Sequence, residues 1–342
     1  MTRERLEELL DRIPTIRVAV LGDFFLDRYL VIDPALAERS IETGLEARQV
    51  VEVRCSPGAA GTVTSNLAAL GVRSLEAIGV IGDDGEGYEL VRGLQRTGVD
   101  TAPLAHAAAR FTPTYTKPML RTASGEREME RLDTKNRAPL GPDLEERLAA
   151  AVAQRVAERR VDAIVVMDQV EERNCGAVTD RIRGMLADLG RRVPGVLIFA
   201  DSRRRIGEYR HVVTKPNHHE AARALGSDPS TAETPEGAGA CGKTLATLCG
   251  RPVFVTMGAA GIMVCDAERA TRVPSVPVPE PIDIVGAGDS ATAGIVCGLC
   301  AGATPEEAAL LGNLCAAVTI RKLGTTGTAS PDEVRRTAAP LM

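Results

Sequence analysis

Short apolar runs alternate with helix-length segments along most of this chain of 342 residues. The apolar runs have the length of buried strands, and the segments between them have the length and spacing of helices. The strand-like runs are 17–22, 74–79, 163–167, 196–200, 211–214 and 252–257, and the helical segments are 62–70, 87–97, 143–159, 178–190, 220–225 and 239–248. Strands that alternate with helices build a mainly parallel sheet covered on both faces. The sequence therefore predicts a doubly wound α/β domain.

Two segments, about 29–55 and 111–133, interrupt this alternation. Both contain short stretches in which apolar and polar residues alternate, and the second has an Ala-Ser-Gly turn between its two stretches. This pattern is typical of strands in a small sheet. A small sheet that projects over a cleft is a natural lid. We expect one domain over residues 1–342 with a β-sheet lid inserted in it.

Composition excludes several classes of function. The net charge is −5, the arginines are scattered, and aromatic residues make up 3% of the chain, which argues against nucleic-acid binding. No stretch approaches the roughly 20 apolar residues of a membrane span, and the N-terminal residues lack the apolar segment of a secretory signal. We expect a cytoplasmic protein with reduced thiols. Cys297 and Cys300 lie in an apolar helical run, which favours helix packing over a metal or redox site.

The strongest candidate site is a glycine-rich acidic motif, Asp-Ile-Val-Gly-Ala-Gly-Asp at 283–289, which precedes the apolar run 290–300. Small residues before a helix allow its unpaired N–H groups to approach an anion closely. A carboxylate beside such an anion site, here Asp289, suits a general base for a hydroxyl that attacks phosphate. A glycine turn in which Asp289 caps the helix explains the same pattern, and spacing alone does not separate the two interpretations.

This motif resembles the C-terminal signature of the ribokinase-like (PfkB) sugar kinases. Five further stretches resemble motifs of that family, in the expected order, across about residues 17–335. They are GDFFLD at 22–27, GVIGDDG at 79–85, NHHE at 217–220, TMGAAG at 256–261, and Asn313 with KLGTTG at 322–327. Four stretches are most similar to the bacterial heptose phosphate kinase branch: GDFFLDRY, LRTASGEREMERLD, RKLGTTGTASPDEV, and the segment 201–217, which has an aspartate, then a tyrosine, then Pro-Asn. The resemblance implies an ATP-dependent kinase that phosphorylates a hydroxyl of a sugar or sugar phosphate, with Mg²⁺ and a candidate K⁺ as cofactors.

The resemblance also implies roles for individual residues. The expected catalytic residues are the base Asp289 and the loop residues Gly286, Ala287 and Gly288. The expected substrate-binding residues are Asp27, Gly58, Thr62, Asn66 and Asp168. The expected nucleotide-binding residues are Lys215, Asn217, Glu220, Thr256, Gly258, Gly261, Asn313 and Gly324. Asn217 and Glu220 are expected to hold Mg²⁺ directly or through water, and Asp283 a monovalent cation. A capping box at Asn217 and Glu220, a turn held by Asp283, and a plain turn glycine at Gly58 are the structural alternatives.

Three departures from the family pattern concern the acceptor pocket. Ala59 stands where the family has the second of two hinge glycines, and Thr62 stands where it has Asn. The Lys-Gly that follows the strand-end Asp in the heptose branch is absent after Asp168. These departures keep open a non-catalytic sugar- or nucleotide-binding sensor of the same fold. A vitamin or pyrimidine kinase of the superfamily is a further alternative, although such kinases typically lack a β lid.

Three other features complete the predictions. Residues 237–244 match the pattern of a Walker A phosphate loop, but the polar residues before them do not form the buried strand that such a loop follows. Lys117 and Arg131 lie on the predicted lid, where they either neutralise phosphate or are ordinary solvated charges. The edges of an exposed lid sheet would be satisfied by pairing between two subunits, which predicts a homodimer through the lid.

Overall fold

The computed structural model describes residues 1–324 and 326–341. Its main sheet contains β1 (Arg17–Gly22), β4 (Ser74–Gly82), β5 (Leu104–Ala107), β9 (Ala163–Asp168), β10 (Leu197–Ser202), β11 (Val213–Thr214), β12 (Val253–Thr256), β13 (Ile262–Cys265) and β14 (Ala270–Val273). The order is β14-β13-β12-β11-β10-β9-β1-β4-β5. The strands from β5 to β12 are parallel, and β13 and β14 are antiparallel. The predicted mainly parallel sheet is confirmed, and the antiparallel edge was not foreseen.

Helices cover both faces of this sheet. They are α1 (Arg3–Arg12), α2 (Ala60–Leu70), α3 (Gly85–Arg96), α4 (Pro142–Ala157), α5 (Asp180–Arg192), α6 (His218–Ala224), α7 (Pro235–Cys249), α8 (Ala287–Cys300), α9 (Pro305–Thr319) and α10 (Pro331–Ala338). Successive residues of a strand point to opposite faces, so Val18 and Val20 of β1 pack with α1–α3 and α8–α10. Ala19 and Leu21 pack on the other face with α4 and α5. The doubly wound α/β fold is therefore confirmed.

The centre of the sheet determines where a ligand is expected. β1 lies between β4 and β9, so the chain winds outward from it in both directions. Open α/β sheets bind ligands outside the carboxyl ends of the strands at such a switch point. Asp23, Asp201 and Lys215 lie at the carboxyl ends of β1, β10 and β11. Three charged side chains therefore lie at the edge where chemistry is expected.

A second sheet forms the lid. It contains β2 (Phe24–Arg39), β3 (Glu46–Ala59), β6 (Thr114–Thr122), β7 (Gly125–Glu128) and β8 (Leu132–Thr134). The order is β3-β2-β6-β7, and β8 also pairs with β6. This confirms the predicted lid, although β2 begins five residues before the predicted segment 29–55 and β3 ends four residues after it. The lid strands therefore start at the edge of the main sheet.

The Walker-like segment 237–244 lies inside helix α7, which begins at Pro235, four residues before the predicted helical segment 239–248. Its glycines serve packing, since a Cβ at Gly242 would lie 2.3 Å from Sγ of Cys265, and one at Gly239 3.1 Å from Cβ of Ala270. Residues 237–244 are therefore packed in a helix and do not form a phosphate loop, as the sequence predicted.

The apolar run 290–300 forms part of helix α8 and packs into the core, as predicted. Cys297 of α8 is fully buried, and Cys300 packs against the same core, as the packing interpretation predicts. No helix within residues 1–324 and 326–341 is long and apolar enough to cross a lipid bilayer.

Candidate active site

The glycine loop leads into helix α8. Gly286 has φ of +80°, and a Cβ there would lie 2.7 Å from Cγ2 of Thr326, so only glycine fits. No side chain caps this helix. The N–H of Ala287 donates to the carbonyl of Ile284 at 3.2 Å, whereas those of Gly288 and Asp289 have no acceptor among the described residues. The predicted anion site therefore narrows to the N–H groups of Gly288 and Asp289.

Asp289 is the third residue of α8 and does not cap it, because the capping position belongs to Gly286. Burial, and then the negative charge of Asp201, raise the pKa of Asp289 to about 7, against an opposing effect of Lys215 and Arg203. A carboxylate whose pKa lies near neutral pH is well matched to accept a proton from a hydroxyl. The helix-cap interpretation of Asp289 is wrong.

A buried ion pair lies beside this base. Nζ of Lys215 is 2.8 Å from Oδ2 of Asp201, and both residues are buried. Burial acts to lower the pKa of Lys215, but the attraction of Asp201 outweighs it, so the pKa is raised and the amine stays charged. A Cβ on Gly288 would lie 3.9 Å from Nζ of Lys215. A positive charge is thus fixed next to the glycine loop.

The sequence analysis did not select Asp201, although strand parity identifies it. Phe199 of β10 packs on the α8 face of the sheet, and Ile198 and Ala200 pack on the opposite face. Two residues after Phe199, Asp201 therefore points to the α8 face, where Asp289 lies. Counting by twos along β10 would have found it.

Asn217 and Glu220 form a capping box at the start of α6. Oδ1 of Asn217 accepts from the N–H of Glu220, and Oε2 of Glu220 accepts from the N–H of Asn217, both at 2.8 Å. The structural interpretation is confirmed. Burial and the charge of Asp201 also raise the pKa of Glu220 to about 7.

A magnesium ion finds oxygen donors here but no complete cage. Asp201 and the second oxygen of Glu220 are the carboxylate donors near Asp289. In the part of the chain that the structure describes, no three His, Cys, Asp or Glu residues are grouped to hold a metal. Mg²⁺ commonly keeps several waters and binds through one or two carboxylates and the substrate phosphates. The residues present fit an ion that arrives with the nucleotide.

The predicted nucleotide-binding residues lie at one end of the edge that the carboxyl ends of the main-sheet strands form. The N–H of Thr256 donates to the carbonyl of Pro216 at 3.0 Å, which places β12 beside Asn217. Gly258 and Gly261 have φ of +55° and +94°, and a Cβ on Gly261 would lie 2.2 Å from the carbonyl oxygen of Val273. Nδ2 of Asn313 donates to the carbonyls of Val273 and Pro274 at 3.2 and 2.9 Å. Asn313 therefore supports the turn next to the nucleotide region.

Asp283 and Gly324 are joined by a hydrogen bond. Oδ2 of Asp283 accepts from the N–H of Gly324 at 3.2 Å, and Oδ1 accepts from the N–H of Val285 at 3.0 Å. Both oxygens thus hold the turn, which is the structural role considered for Asp283. Its role toward a monovalent cation stays a prediction, and Thr325, next to Gly324, lies outside the described residues.

Asp27 lies on β2 where this strand enters the lid. Nζ of Lys117 on β6 is 3.0 Å from Oδ1 of Asp27. A Cβ on Gly58 would lie 2.5 Å from Oδ2 of Asp27, so the absence of a side chain at Gly58 makes room for this carboxylate. The charge of Asp27 also acts on Asp289. The structure therefore brings together the predicted acceptor residue, its glycine and the predicted base.

A cavity of about 560 Å³ lies between the lid and α2. Thr62, Ser65 and Asn66 line it from the core, and Tyr29 and Arg54 line it from the lid. Nδ2 of Asn66 donates to the carbonyl of Thr62 at 2.9 Å, whereas its buried Oδ1 has no partner among the described residues. An acceptor atom of this kind, lining a cavity, suits a hydroxyl ligand.

Asp168 corrects one prediction. It is 1% exposed, and its carboxylate accepts hydrogen bonds from Ser202 at 2.7 Å, Arg205 at 2.6 Å and Tyr209 at 3.3 Å. Strand parity sends Asp168 to the face opposite that of Asp201, because Asp201 pairs with the preceding residue, Met167. Asp168 is thus placed in a buried network on the face opposite that of Asp201, with its carboxylate occupied by Ser202, Arg205 and Tyr209.

Comparisons with known proteins agree with this geometry. A family model described as pfkB family carbohydrate kinase matches residues 28–333. The bifunctional protein HldE of Trichlorobacter lovleyi is 29% identical over 340 residues, which cover 98% of this chain and 65% of that protein. HldE of Hyphomonas neptunium is 30% identical over 334 residues, which cover 97% of this chain and 65% of that protein. The chain thus spans just under two thirds of the length of these relatives.

Solved structures show the same fold. Phosphofructokinase-2 from Escherichia coli in complex with fructose-6-phosphate has a TM-score of 0.70 at 19% identity, covering 96% of this chain and 99% of that chain. Ribokinase from Arabidopsis thaliana complexed with ribose and ATP has a TM-score of 0.68 at 16% identity, covering 94% and 98%. The ribokinase-like architecture with its lid is therefore shared across nearly the whole chain.

Proposed function

The chain belongs to the pfkB family of carbohydrate kinases, and from this premise we propose that it transfers the γ-phosphoryl group of ATP to a hydroxyl of a sugar or sugar phosphate. The observation that carries the proposal is the position of Asp289. Its carboxylate, with a pKa raised to about 7, lies beside Lys215 and next to two N–H groups that have no acceptor in residues 1–324 and 326–341. A base, a cation and an anion site together are the parts that phosphoryl transfer requires.

The proposed reaction uses these parts in one step. The acceptor hydroxyl lies between Asp27 and Asp289, and Asp289 accepts its proton while the oxygen attacks the γ-phosphorus. The bond between the γ-phosphorus and the bridging oxygen of ATP breaks, and ADP leaves. The N–H groups of Gly288 and Asp289 and the ammonium of Lys215 stabilise the charge that develops on the phosphoryl oxygens. Glu220 would hold Mg²⁺ directly or through water, and the ion would supply positive charge to the nucleotide phosphates. The lid excludes water from the reacting groups.

The proposal of a particular acceptor rests on the similarity to the relatives. Their name and the resemblance to the heptose phosphate kinase branch support a heptose-phosphate-like acceptor. The substitutions at Ala59 and Thr62, and the absence of Lys-Gly after Asp168, lie in the acceptor region and favour a test with several sugars. We also propose K⁺ as an activating ion near Asp283, to be tested by exchanging K⁺ for Na⁺ in the assay.

Different observations test the two alternative functions. The lid sheet over the cleft counts against a vitamin or pyrimidine kinase, since those enzymes typically lack it. A non-catalytic sensor would bind sugar or nucleotide without turnover. Ligand-dependent consumption of ATP therefore decides between a kinase and a sensor.

The direct test is the variant Asp289→Asn. We expect turnover with sugar and sugar phosphate acceptors to fall by about 10²–10⁴-fold, because general-base catalysis contributes on this order. ATP binding, measured by calorimetry, should change less than about threefold, since Asn is nearly isosteric with Asp. Asp188→Asn on the surface of α5 is the matched control and should retain full activity. Near-normal turnover of Asp289→Asn would refute the base assignment.

We propose further that two copies pair through their lids. β3 is an edge strand, and its Val50, Val51 and Val53 are 45%, 42% and 53% exposed. An unpaired apolar edge favours pairing with another strand. Sedimentation velocity of the protein and of Val51→Lys distinguishes a dimer from a monomer. The cytoplasmic location stays a prediction.

A further inference from the structure

The cavity of about 560 Å³ between the lid and α2 lies beside the gap between Asp27 and Asp289, and its lining includes neither of these residues. It adjoins that gap from the lid and from the core. Ser56, which lines the cavity, is the register partner of Asp27 across β2 and β3. Thr62 lines it from α2, and a Cβ on Gly286 would lie 3.7 Å from Cγ2 of Thr62. An acceptor held at Asp27 therefore has room to extend into the cavity.

The side chains that line the cavity carry no net charge. Among the described residues of the lining, Arg54 is the one cation and Glu126 the one carboxylate, and the two form an ion pair on the lid. The guanidinium of Arg54 also lies 5.7 Å from the centre of the Tyr29 ring. Because Arg54 is engaged with Glu126, a phosphate ester finds no free cation in this lining. The occupant that suits the cavity is uncharged.

Helix α2 presents oxygen atoms to the cavity whose donor partners are already used. Oγ of Ser65 donates to the carbonyl of Gly61, and Nδ2 of Asn66 donates to the carbonyl of Thr62, both at 2.9 Å. The second bond determines the orientation of the amide, because a flipped amide would place oxygen against oxygen. Oδ1 of Asn66 is buried, and the described part of the chain supplies no donor to it. A buried acceptor in this state requires a donor from a ligand.

Hydroxyl groups meet this requirement, whereas charged groups do not. Ionised carboxylates and phosphate dianions only accept hydrogen bonds, so they would leave Oδ1 of Asn66 unpaired. An ammonium group donates, but Glu126 is already paired with a cation and does not neutralise a second one. The hydroxyl groups of Ser56, Thr326 and Thr328 also line the cavity, and each can both donate and accept. The lining therefore matches a segment that carries several hydroxyl groups.

We infer that this cavity binds a neutral polyol segment of the acceptor, beyond the part that carries the reacting hydroxyl, and that Asn66 determines specificity by accepting a hydroxyl of that segment. The inference rests on the proposed function and narrows the acceptor to sugars whose ring bears an uncharged, hydroxylated extension. The volume of about 560 Å³ lies within the range of small-molecule sites, about 300–1,000 Å³. Ser65 and Arg54 lie outside the stretches on which the family resemblance depends.

Calorimetry of acceptor binding in the Asp289→Asn background tests the inference without turnover. The probes are two pairs of free sugars that differ in the length of the hydroxylated chain: mannose with mannoheptose, and fructose with sedoheptulose. We expect the longer sugar of at least one pair to bind at least about 10-fold more tightly, because its added hydroxyl satisfies Oδ1 of Asn66. Asn66→Leu should remove this advantage and change the affinity of the shorter sugars less than about threefold. The advantage should be equal at low and high salt, because no charge is involved.

Thr64→Val is the matched control. Oγ1 of Thr64 donates to the carbonyl of Ala60 at 2.6 Å, so this variant loses the same kind of helix bond, but Thr64 does not line the cavity. It should leave the advantage of the longer sugar unchanged. Ser65→Ala should reduce that advantage by about threefold or more, which keeps the test decisive if Asn66→Leu does not fold.

Three results would overturn the inference. They are equal affinity or no binding within both pairs, an equal loss for long and short sugars in Asn66→Leu, and an advantage of the longer sugar that disappears at high salt. Absence of turnover by the unmodified protein with every acceptor would instead refute the proposed function, because calorimetry reports on the cavity in either case.

Discussion

The ammonium nitrogen of Lys117 lies 3.0 Å from Oδ1 of Asp27, in a partly buried pair on the lid sheet. The same ammonium is 3.3 Å from the hydroxyl oxygen of Tyr29 and 4.8 Å from the centre of its ring. Burial acts to lower the pKa of Lys117, but the charge of Asp27 outweighs it and the pKa is raised. One oxygen of Asp27 is thus committed to the lid, and Oδ2, beside Gly58, remains for the acceptor.

Gly58→Ala should disturb this second oxygen. A Cβ at Gly58 would lie 2.5 Å from Oδ2 of Asp27, a distance that forces the carboxylate to move. We expect the KM for the acceptor to rise by about 10-fold or more while the KM for ATP stays within about twofold, because misplacing a positioned group is costly. Gly141→Ala, where a Cβ meets nothing within 4 Å, is the control. An unchanged acceptor KM would show that Asp27 does not bind the acceptor through Oδ2.

The pH dependence of the reaction should report the base. Since burial and Asp201 raise the pKa of Asp289 to about 7, a growing fraction of the base is protonated as the pH falls below that value. We expect kcat/KM for the acceptor to fall about tenfold per pH unit below pH 7 and to level off above it. Burial and the charge of Asp201 also raise the pKa of Glu220 to about 7. The pH profile therefore gives apparent pKa values that belong to these carboxylates together. A rate independent of pH from 5 to 8 would contradict a base in this range.

The stability of the protein should respond to the same carboxylate. Because the pKa of Asp289 is 3.8 for the isolated group and about 7 in the fold, the folded state binds more protons between these values. Stability from this group is complete below pH 4 and is lost as the pH rises through 7. Asp289→Asn cannot ionise, so it should raise the free energy of unfolding by about 4 kcal/mol at pH 8 and little at pH 4.

Urea denaturation at the two pH values checks this expectation. Asp188→Asn on the surface of α5 provides the control for the loss of one charge. Equal stabilisation of Asp289→Asn at pH 4 and pH 8 would mean that the pKa of Asp289 is not raised.

Ala59→Gly should stabilise the fold. Ala59, at the junction of β3 and α2, has φ of 52° and ψ of −115°, a region that glycine adopts readily and alanine does not. Such strain costs about 1–3 kcal/mol, and the greater freedom of glycine in the unfolded chain offsets about 0.5–1 kcal/mol. We expect a net gain of about 1 kcal/mol in urea denaturation. Ala60→Gly, in the first turn of α2, is the control and should destabilise by about 1 kcal/mol.

Much of the architecture could be predicted because periodicity is a local property. The alternation of apolar runs and helical segments predicted the main sheet, and the segments 29–55 and 111–133, which interrupt it, predicted the lid. The antiparallel strands β13 and β14 were missed because four-residue strands carry little periodic signal. Helix α7 began earlier than expected, since its first turn, Pro235 to Ala238, is rich in residues that are also common in loops.

Only part of the candidate site could be predicted, because motifs identify residues by their position in the sequence but do not give the direction in which each side chain points. The charge of Asp27 acts on Asp289, so these two predicted residues lie in one region of the protein. Asp168 was expected to bind substrate, and Asp201 was given no role in the site, although the two end neighbouring strands. Which of them reaches the α8 face depends on a register offset of one residue between β9 and β10, which arises only when the strands pair.

Strand β2 leaves the end of β1 at Phe24 and continues without interruption to Arg39 in the lid, and Asp27 is its fourth residue. Under the proposed function, the group that contacts the sugar therefore belongs to the lid and not to the main sheet. A lid that moved away would carry Asp27 away from Asp289, so a protein with ATP but no acceptor would lack both a water-free site and a positioned nucleophile. Acceptor binding and protection of the nucleotide would then be a single event, which would limit futile hydrolysis of ATP.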